Sequence, residues 1–251
     1  MSAALSDARL AAGLAQRAGR LLLELRQDPT LSGRSLGARG DAESNTLLLR
    51  ALADERPDDA VLSEESADSP ARLSSDRVWI IDPLDGTREY GMPGRADWAV
   101  HVALWEAGHG VRSAAVAQPA LDVVYASDEV AVTPSSTTRT RPAIVVSDSR
   151  PPAVAAAVAA AIDADLVPMG SAGAKAMAVV RGEADAYLHA GGQWEWDSAA
   201  PVGVALAAGL HASRINGSEL VYNQAHPYLP DLLICRTALA ASMLAAIAAA
   251  G

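Results

Sequence analysis

Lysine and cysteine are almost missing from this chain, which carries one of each in 251 residues, Lys175 and Cys235. A lone cysteine excludes an intrachain disulfide and any cysteine-based metal spacing. Its run Leu232-Leu233-Ile234-Cys235 reads as a strand with the thiol as a small core side chain. Positive charge is short as well. The formal net charge is −10 with no basic stripe, which argues against a nucleic-acid partner. A small phosphorylated substrate stays open, provided metal ions neutralise its charge. No basic-then-apolar leader opens the sequence, and the longest apolar stretches are short or alanine-rich and helical. The expectation is a soluble, cytoplasmic protein with no membrane partner. Internal repeats are absent too. The basic residues are nearly all arginine, a skew that looks compositional, and it makes the one retained lysine worth following.

Half of the residues are hydrophobic, enough for one large domain or two small ones with a packed core. Leucine and alanine at helical spacing predict a helix from about Asp7 to Arg26, broken at Asp28-Pro29. Thr30 to Gly40, rich in Gly, Ser and Arg, reads as a loop, and a second helix from near Asp41 ends before Pro57. Short strands follow at Val61–Ser63, Trp79–Ile81, Trp98–Leu104, Ala114–Gln118 and Val123–Ala126. Pro134-Ser135-Ser136-Thr137-Thr138 is the best linker candidate. Beyond it, strands and helices alternate: Ile144–Ser147, a helix from Pro152 to Ala161, a helix opened by Ser171 to Lys175, Ala184–Leu188, and a helix Ser198–Ala208.

The stretch Asp82-Pro83-Leu84-Asp85-Gly86-Thr87 directly follows the Trp79–Ile81 strand, which Pro83 is expected to stop. Two carboxylates three residues apart repel unless a cation lies between them, and a hard divalent ion such as Mg²⁺ prefers such oxygens. The same residues also suit an Asp-rich turn, with Asp85 capping a short helix. Glu64 and Asp197 likewise sit at the ends of apolar elements. Each has a plainer use, Glu64 as solvated charge and Asp197 as the cap of the helix that follows.

Leu62-Ser63-Glu64-Glu65, then Trp79 to Thr87, then Trp196-Asp197-Ser198-Ala199-Ala200 resemble, in order and spacing, the three motifs of the inositol monophosphatase-like, lithium-sensitive phosphatases. The similarity runs from about Gly40 to the C-terminus. The resemblance implies a layered α/β/α/β/α sugar-phosphatase sandwich, α+β in an N-terminal half (1–135) and α/β in a C-terminal half (140–251), with the site between them. It implies that Glu64, Asp82, Asp85, Asp197 and the Leu84 carbonyl ligate two or three Mg²⁺. Asp41 would stand near a further ion and the nucleophilic water, which Thr87 orients with help from Glu64. The Gly86 and Thr87 N–H groups would face phosphate oxygens, alongside Asp85 and Asp197. Pro201 stands where the family usually has Gly and is expected in a first helical turn. In-line attack of water on a phosphomonoester explains these residue types, since paired ions activate the water and hold the leaving oxygen.

Inositol phosphatases of this superfamily carry a Glu seven residues before the last Asp, and here that position is Ala190. Gly170-Ser171 and Lys175, with one residue inserted between Ser171 and Lys175, are similar to the CysQ-type phosphatases of 3′-phosphoadenosine 5′-phosphate (PAP). Lys175 would then neutralise the phosphate that is not cleaved, and its plainer reading is a solvated helix lysine. Tyr222 or Tyr228 would stack on adenine or pack in a core. His101 reads as a satisfied core or edge histidine, His189 is left open, and Trp194 and Trp196 read as packing. The resemblance thus implies Mg²⁺-dependent hydrolysis of PAP, and of its sulfated analogue PAPS, in sulfur assimilation, by a homodimer sensitive to lithium. The alternatives are an inositol 1-phosphate or fructose 1,6-bisphosphate phosphatase and, from another class, a silent metabolite sensor.

Overall fold

Hydrophobic periodicity divides the chain into elements that a computed structural model stacks in five layers; it describes residues 5–133 and 139–251. The linker expected at Pro134 to Thr138 lies outside the described residues. The first half of the chain runs α1 (Asp7–Leu25), α2 (Gly33–Glu55), β1 (Ala60–Ser63), β2 (Arg77–Asp85), α3 (Thr87–Tyr90), β3 (Ala99–Glu106), β4 (Gly110–Gln118) and β5 (Val123–Ala126). The second runs β6 (Ala143–Ser147), α4 (Ala155–Ala161), β7 (Asp165–Met169), α5 (Ala172–Val180), β8 (Ala186–Trp194), α6 (Glu195–Ala207), β9 (His211–Ser213), β10 (Tyr228–Cys235) and α7 (Ala240–Ala250).

One mixed sheet has the order β1-β2-β3-β4-β5 and the other β7-β6-β8-β10-β9. Strand side chains alternate between faces, so each strand feeds two cores. Trp79, Ile81, Val100, Val102 and Leu104 pack outward on α1 and α2, whereas Val78, Ile80, Ala99 and Ala103 point inward. The inward set meets α5 and α6, whose other sides meet Val145, Tyr187, Leu232 and Ile234 of the second sheet. Ile144, Val146, Leu188, Leu233 and Cys235 close the far side against α4 and α7. A helix buried on two sides must be apolar nearly all round, and α5 has no exposed residue. The α/β/α/β/α layering is the expected one.

Three local expectations are corrected. Thr30 to Gly40 is not a loop throughout, because α2 begins at Gly33, where Ser32 and Ser35 bracket its first turn. At Gly37 glycine serves close approach: a Cβ there would lie 2.6 Å from the Thr87 methyl. Pro83 does not end β2, which continues to Asp85 through a register irregularity. Proline has no N–H to contribute to a ladder, and it stands where the ladder is already interrupted. Finally, α6 starts at Glu195, so Pro201 is in the helix interior, not the first turn. Its missing N–H leaves the Asp197 carbonyl without the usual helical partner.

Candidate active site

The irregularity in β2 aligns the two aspartates. Residues three apart on a regular strand face opposite sides. Here Asp82 pairs with His101 and Asp85 with Ala99, so β2 spends three steps where β3 spends two. His101 and Ala99 share a face, and both aspartates therefore turn inward toward α5 and α6. The parallel pairing of β1 with β2 sets Ser63 beside Ile81, which brings Glu64 level with Asp82. From the other side, α6 delivers Asp197 in its first turn. Asp197 is not the cap residue itself; its Oδ2 accepts the Trp194 N–H at 2.6 Å from the third helical position. Carboxylate oxygens of Asp82, Asp85 and Asp197 then lie within 4.8 Å of one another.

The electrostatics of these acids are unequal. Burial, then the charges of Glu64, Asp85 and Asp197, push the Asp82 carboxyl well above its usual range. Its Oδ1 accepts the Leu84 N–H, but its Oδ2 is buried with no protein partner. Burial and the Asp85 charge raise Asp197 to about 6; loss of hydration in the cleft wall, then the charges of Asp197, Asp85 and Glu65, raise Glu64 to about 8. Burial would raise Asp85 as well, yet His101, the Ser171 hydroxyl and the Gly173 N–H outweigh it and hold Asp85 at about 2. An unpartnered buried oxygen among all-oxygen donors that repel each other fits a hard divalent cation.

Thr87 stands at the cluster's edge, its Oγ1 3.2 Å from both the Leu84 carbonyl and Asp41 Oδ1. Asp41, raised to about 6 by burial and then by Glu65, lies behind Thr87 rather than in the cleft wall. Above the cluster opens a cleft of about 550 Å³, with Glu64, Asp85, Gly86, Thr87, Ser171, Lys175 and Asp197 in its lining. Asp82 and Leu84 lie beneath that wall, each 1% exposed. Tyr222 is also buried, with its hydroxyl 3.2 Å from Ser198 Oγ, so stacking on a ligand is excluded. Tyr228 and Trp194 line the cleft; Trp194 packs on Trp196 as expected but remains partly exposed.

Several supporting residues were not legible as such. Ser44 Oγ of α2 donates to the Pro83 carbonyl at 2.7 Å, and Asn45 bonds Ser63 and Ser66, which steadies both strand ends that carry acids. His101 is buried, as a core histidine is expected to be, but its neighbours belong to the site. Nδ1 lies 3.0 Å from the Trp196 carbonyl and Nε2 3.2 Å from Asp85 Oδ2. Only the cross-strand register with Asp82 could have signalled it. Ser171 takes φ 44° to cap α5 and donates to Asp85 Oδ2 at 2.5 Å.

Lys175 is no surface lysine, being 4% exposed. Its Nζ donates to the Gly170 and Ser171 carbonyls at 3.0 and 2.7 Å and lies 5.2 Å from the centre of the Tyr187 ring. Burial lowers its pKa despite the nearby carboxylates. Lys175→Met is expected to unpair both carbonyls, destabilising by about 1–3 kcal/mol, and to slow turnover of all substrates alike. An unchanged Tm, with KM raised for one substrate alone, would instead make the lysine a substrate contact.

A five-layer sandwich holding an acidic cluster at the floor of a polar cleft defines a metal-dependent phosphomonoesterase scaffold. The chain belongs to the inositol monophosphatase family, which it matches over residues 7–249. It is similar to the 3′-phosphoadenosine 5′-phosphate phosphatase of Mycobacterium tuberculosis, 57% identical over 239 residues, 92% of this chain and 89% of the relative. The enzyme of that name from Mycobacterium leprae is 54% identical over 258 residues, 98% of this chain and 94% of the relative. Among solved structures, CysQ from Bacteroides thetaiotaomicron superposes with a TM-score of 0.76 at 24% identity, over 92% of this chain and 97% of that one. At that identity the likeness speaks for the fold.

Proposed function

We propose that this chain hydrolyses the 3′-phosphate of PAP to give AMP and inorganic phosphate, and PAPS to the corresponding 5′-phosphosulfate, with Mg²⁺. The observation that carries it is the convergence of Asp82, Asp85 and Asp197, with Glu64 beside them, under a cleft large enough for a nucleotide. The names of the mycobacterial relatives support the substrate, and Ala190 leaves no carboxylate where inositol phosphatases have one.

On this reading Glu64, Asp82, Asp85, Asp197 and the Leu84 carbonyl hold the ions. Mg²⁺ bound there supplies a water of lowered pKa and a counter-charge for the phosphate and leaving oxygens. Thr87 directs its proton to the Leu84 carbonyl or Asp41 and so keeps a lone pair for the attacking water, which Glu64 also orients. The Gly86 and Thr87 N–H groups receive phosphate oxygens. Ser171 and Lys175 act at the α5 turn that holds Asp85, and the leaving ribose oxygen departs toward the open cleft. The ligand-bearing half is 1–135 and the half bearing Asp197 and the substrate contacts is 140–251. A cytoplasmic homodimer working in sulfur assimilation and inhibited by Li⁺ completes the reading. Among the described residues no helix is long and apolar enough to cross a membrane.

The test is phosphate release with Mg²⁺ from PAP, inositol 1-phosphate and fructose 1,6-bisphosphate. A preference for PAP in kcat/KM of about a hundredfold or more, some 2.7 kcal/mol in transition-state binding, is expected. Equal rates on all three would replace the nucleotide reading with a permissive sugar-phosphate one.

A further inference from the structure

Near the cleft's Asp197 side the protein leaves large aromatic surface in water. Trp194 ends β8 and Tyr228 begins β10, and the two are directly opposed cross-strand partners. They are 39% and 44% exposed, whereas Trp79, Trp98, Tyr90, Tyr187 and Tyr222 are buried. Their ring centroids lie 5.8 Å apart with planes at 79°, so they form a corner in the cleft lining. Each ring has a stacked neighbour. Trp194 stacks on Trp196 at 5.4 Å and 17°, and Tyr228 stacks on His226 at 5.7 Å and 21°.

The chain beside the corner makes room for the Tyr228 ring. Gly191 and Gly192 adopt φ of 116° and 93°, and a Cβ on Gly192 would fall 2.1 Å from the Tyr228 hydroxyl oxygen. The corner is also tied to the cluster, because the Trp194 N–H is the group that binds Asp197 Oδ2. A planar ligand moiety resting on these rings is therefore held by the residue that orients a cluster carboxylate.

We propose that Trp194 and Tyr228 form the nucleobase platform of the cleft, on which the base of the substrate stacks while its phosphate meets the acidic cluster. The assignment rests on the nucleotide reading of the site and names the groups that select for it. Stacking on an aromatic face suits any nucleobase and offers little to inositol or a sugar phosphate, which have no π face. Selectivity then comes from aromatic side chains that do not themselves ligate the ions, whereas the ligands could serve those other phosphates equally.

The experiment compares the full-length wild type with Trp194→Leu, Tyr228→Leu and Trp194→Phe. It reads kcat/KM for PAP with Mg²⁺ and the affinities for AMP and for ribose 5-phosphate, the latter a base-free reference. Both leucine variants are expected to lose about ten- to hundredfold in kcat/KM for PAP, mainly through KM, and a similar factor in AMP affinity. Trp194→Phe should keep most of both. Leucine variants within twofold of wild type on PAP, or losing AMP and ribose 5-phosphate affinity equally, would overturn the platform. A wild type that fails to cleave PAP would sink the nucleotide reading separately. The platform would then stand on AMP binding more tightly than ribose 5-phosphate in wild type but not in the leucine variants, and fall without that difference.

Discussion

Asp82→Asn is expected to abolish turnover while making the metal-free protein more stable. The two effects have one cause. Asp82 is buried, and its Oδ2 faces other carboxylates with no protein donor. Folding without a cation therefore confines like charges or forces a proton onto the cluster, and each unit by which a pKa rises above both its unfolded value and remains below the ambient pH costs about 1.4 kcal/mol. Asparagine keeps the shape and the oxygen that accepts the Leu84 N–H but removes the charge. In chelator at pH 7.5 the variant should melt about 2–4 °C or more above wild type. With Mg²⁺ the order should reverse, and phosphate release should fall by about 10²- to 10³-fold or more, since an ion's charge stabilisation amounts to several kcal/mol. A variant that melts lower in chelator, or keeps a tenth of the activity, would remove Asp82 from the ion site.

The acids of this site could be read from the sequence because their neighbours dictate their placement. Each follows an apolar run or stands at a helix start, and those are local facts. What made Asp82 and Asp85 face the same way could not be read there. An expectation that Pro83 ends the strand leaves two carboxylates on a bend, whereas the structure keeps the strand and inserts one extra residue. Likewise Gly37 and Gly40 have the composition of a loop, yet they lie in a helix that needs small residues against Thr87 and Tyr90. Long-range partners were least legible. Arg72, 1% exposed in what reads as a polar loop, bonds Asp68, Asn223 and the Gln224 carbonyl, and Glu195 accepts the N–H groups of Asn223 and Gln224. Arg72 reaches across about 150 residues of sequence to Asn223 and Gln224, and through them the loop after Glu64 is tied to the helix of Asp197. No local pattern announces it. A buried arginine is expensive without such partners, which is why it is found only where the fold supplies them.

Removing the metal should make stability depend on pH in a direction set by the same acids. Asp41 and Asp197 are held at about 6 and Glu64 at about 8, all above the unfolded carboxyl range near 4. A group raised on folding contributes fully below its unfolded pKa and loses that contribution as pH climbs through the folded one. The metal-free protein should therefore lose stability between about pH 4 and pH 8. Asp85, at about 2, acts in the opposite sense: its contribution is present above about pH 4 and disappears only as the pH falls toward 2. Bound Mg²⁺ takes the place of the protons, so it should cancel the decline at high pH and compete poorly with protons at low pH. Melting in EDTA and in saturating Mg²⁺ at pH 5.5 and 8.0 should show a clearly larger Mg²⁺-induced gain at 8.0. Mg²⁺ binding near pH 6.5 should release protons into weak buffer, and chelation should end phosphate release at every pH. An equal gain at both pH values, or one larger at 5.5, would mean that the carboxylates with raised pKa values are not the groups that receive the ion.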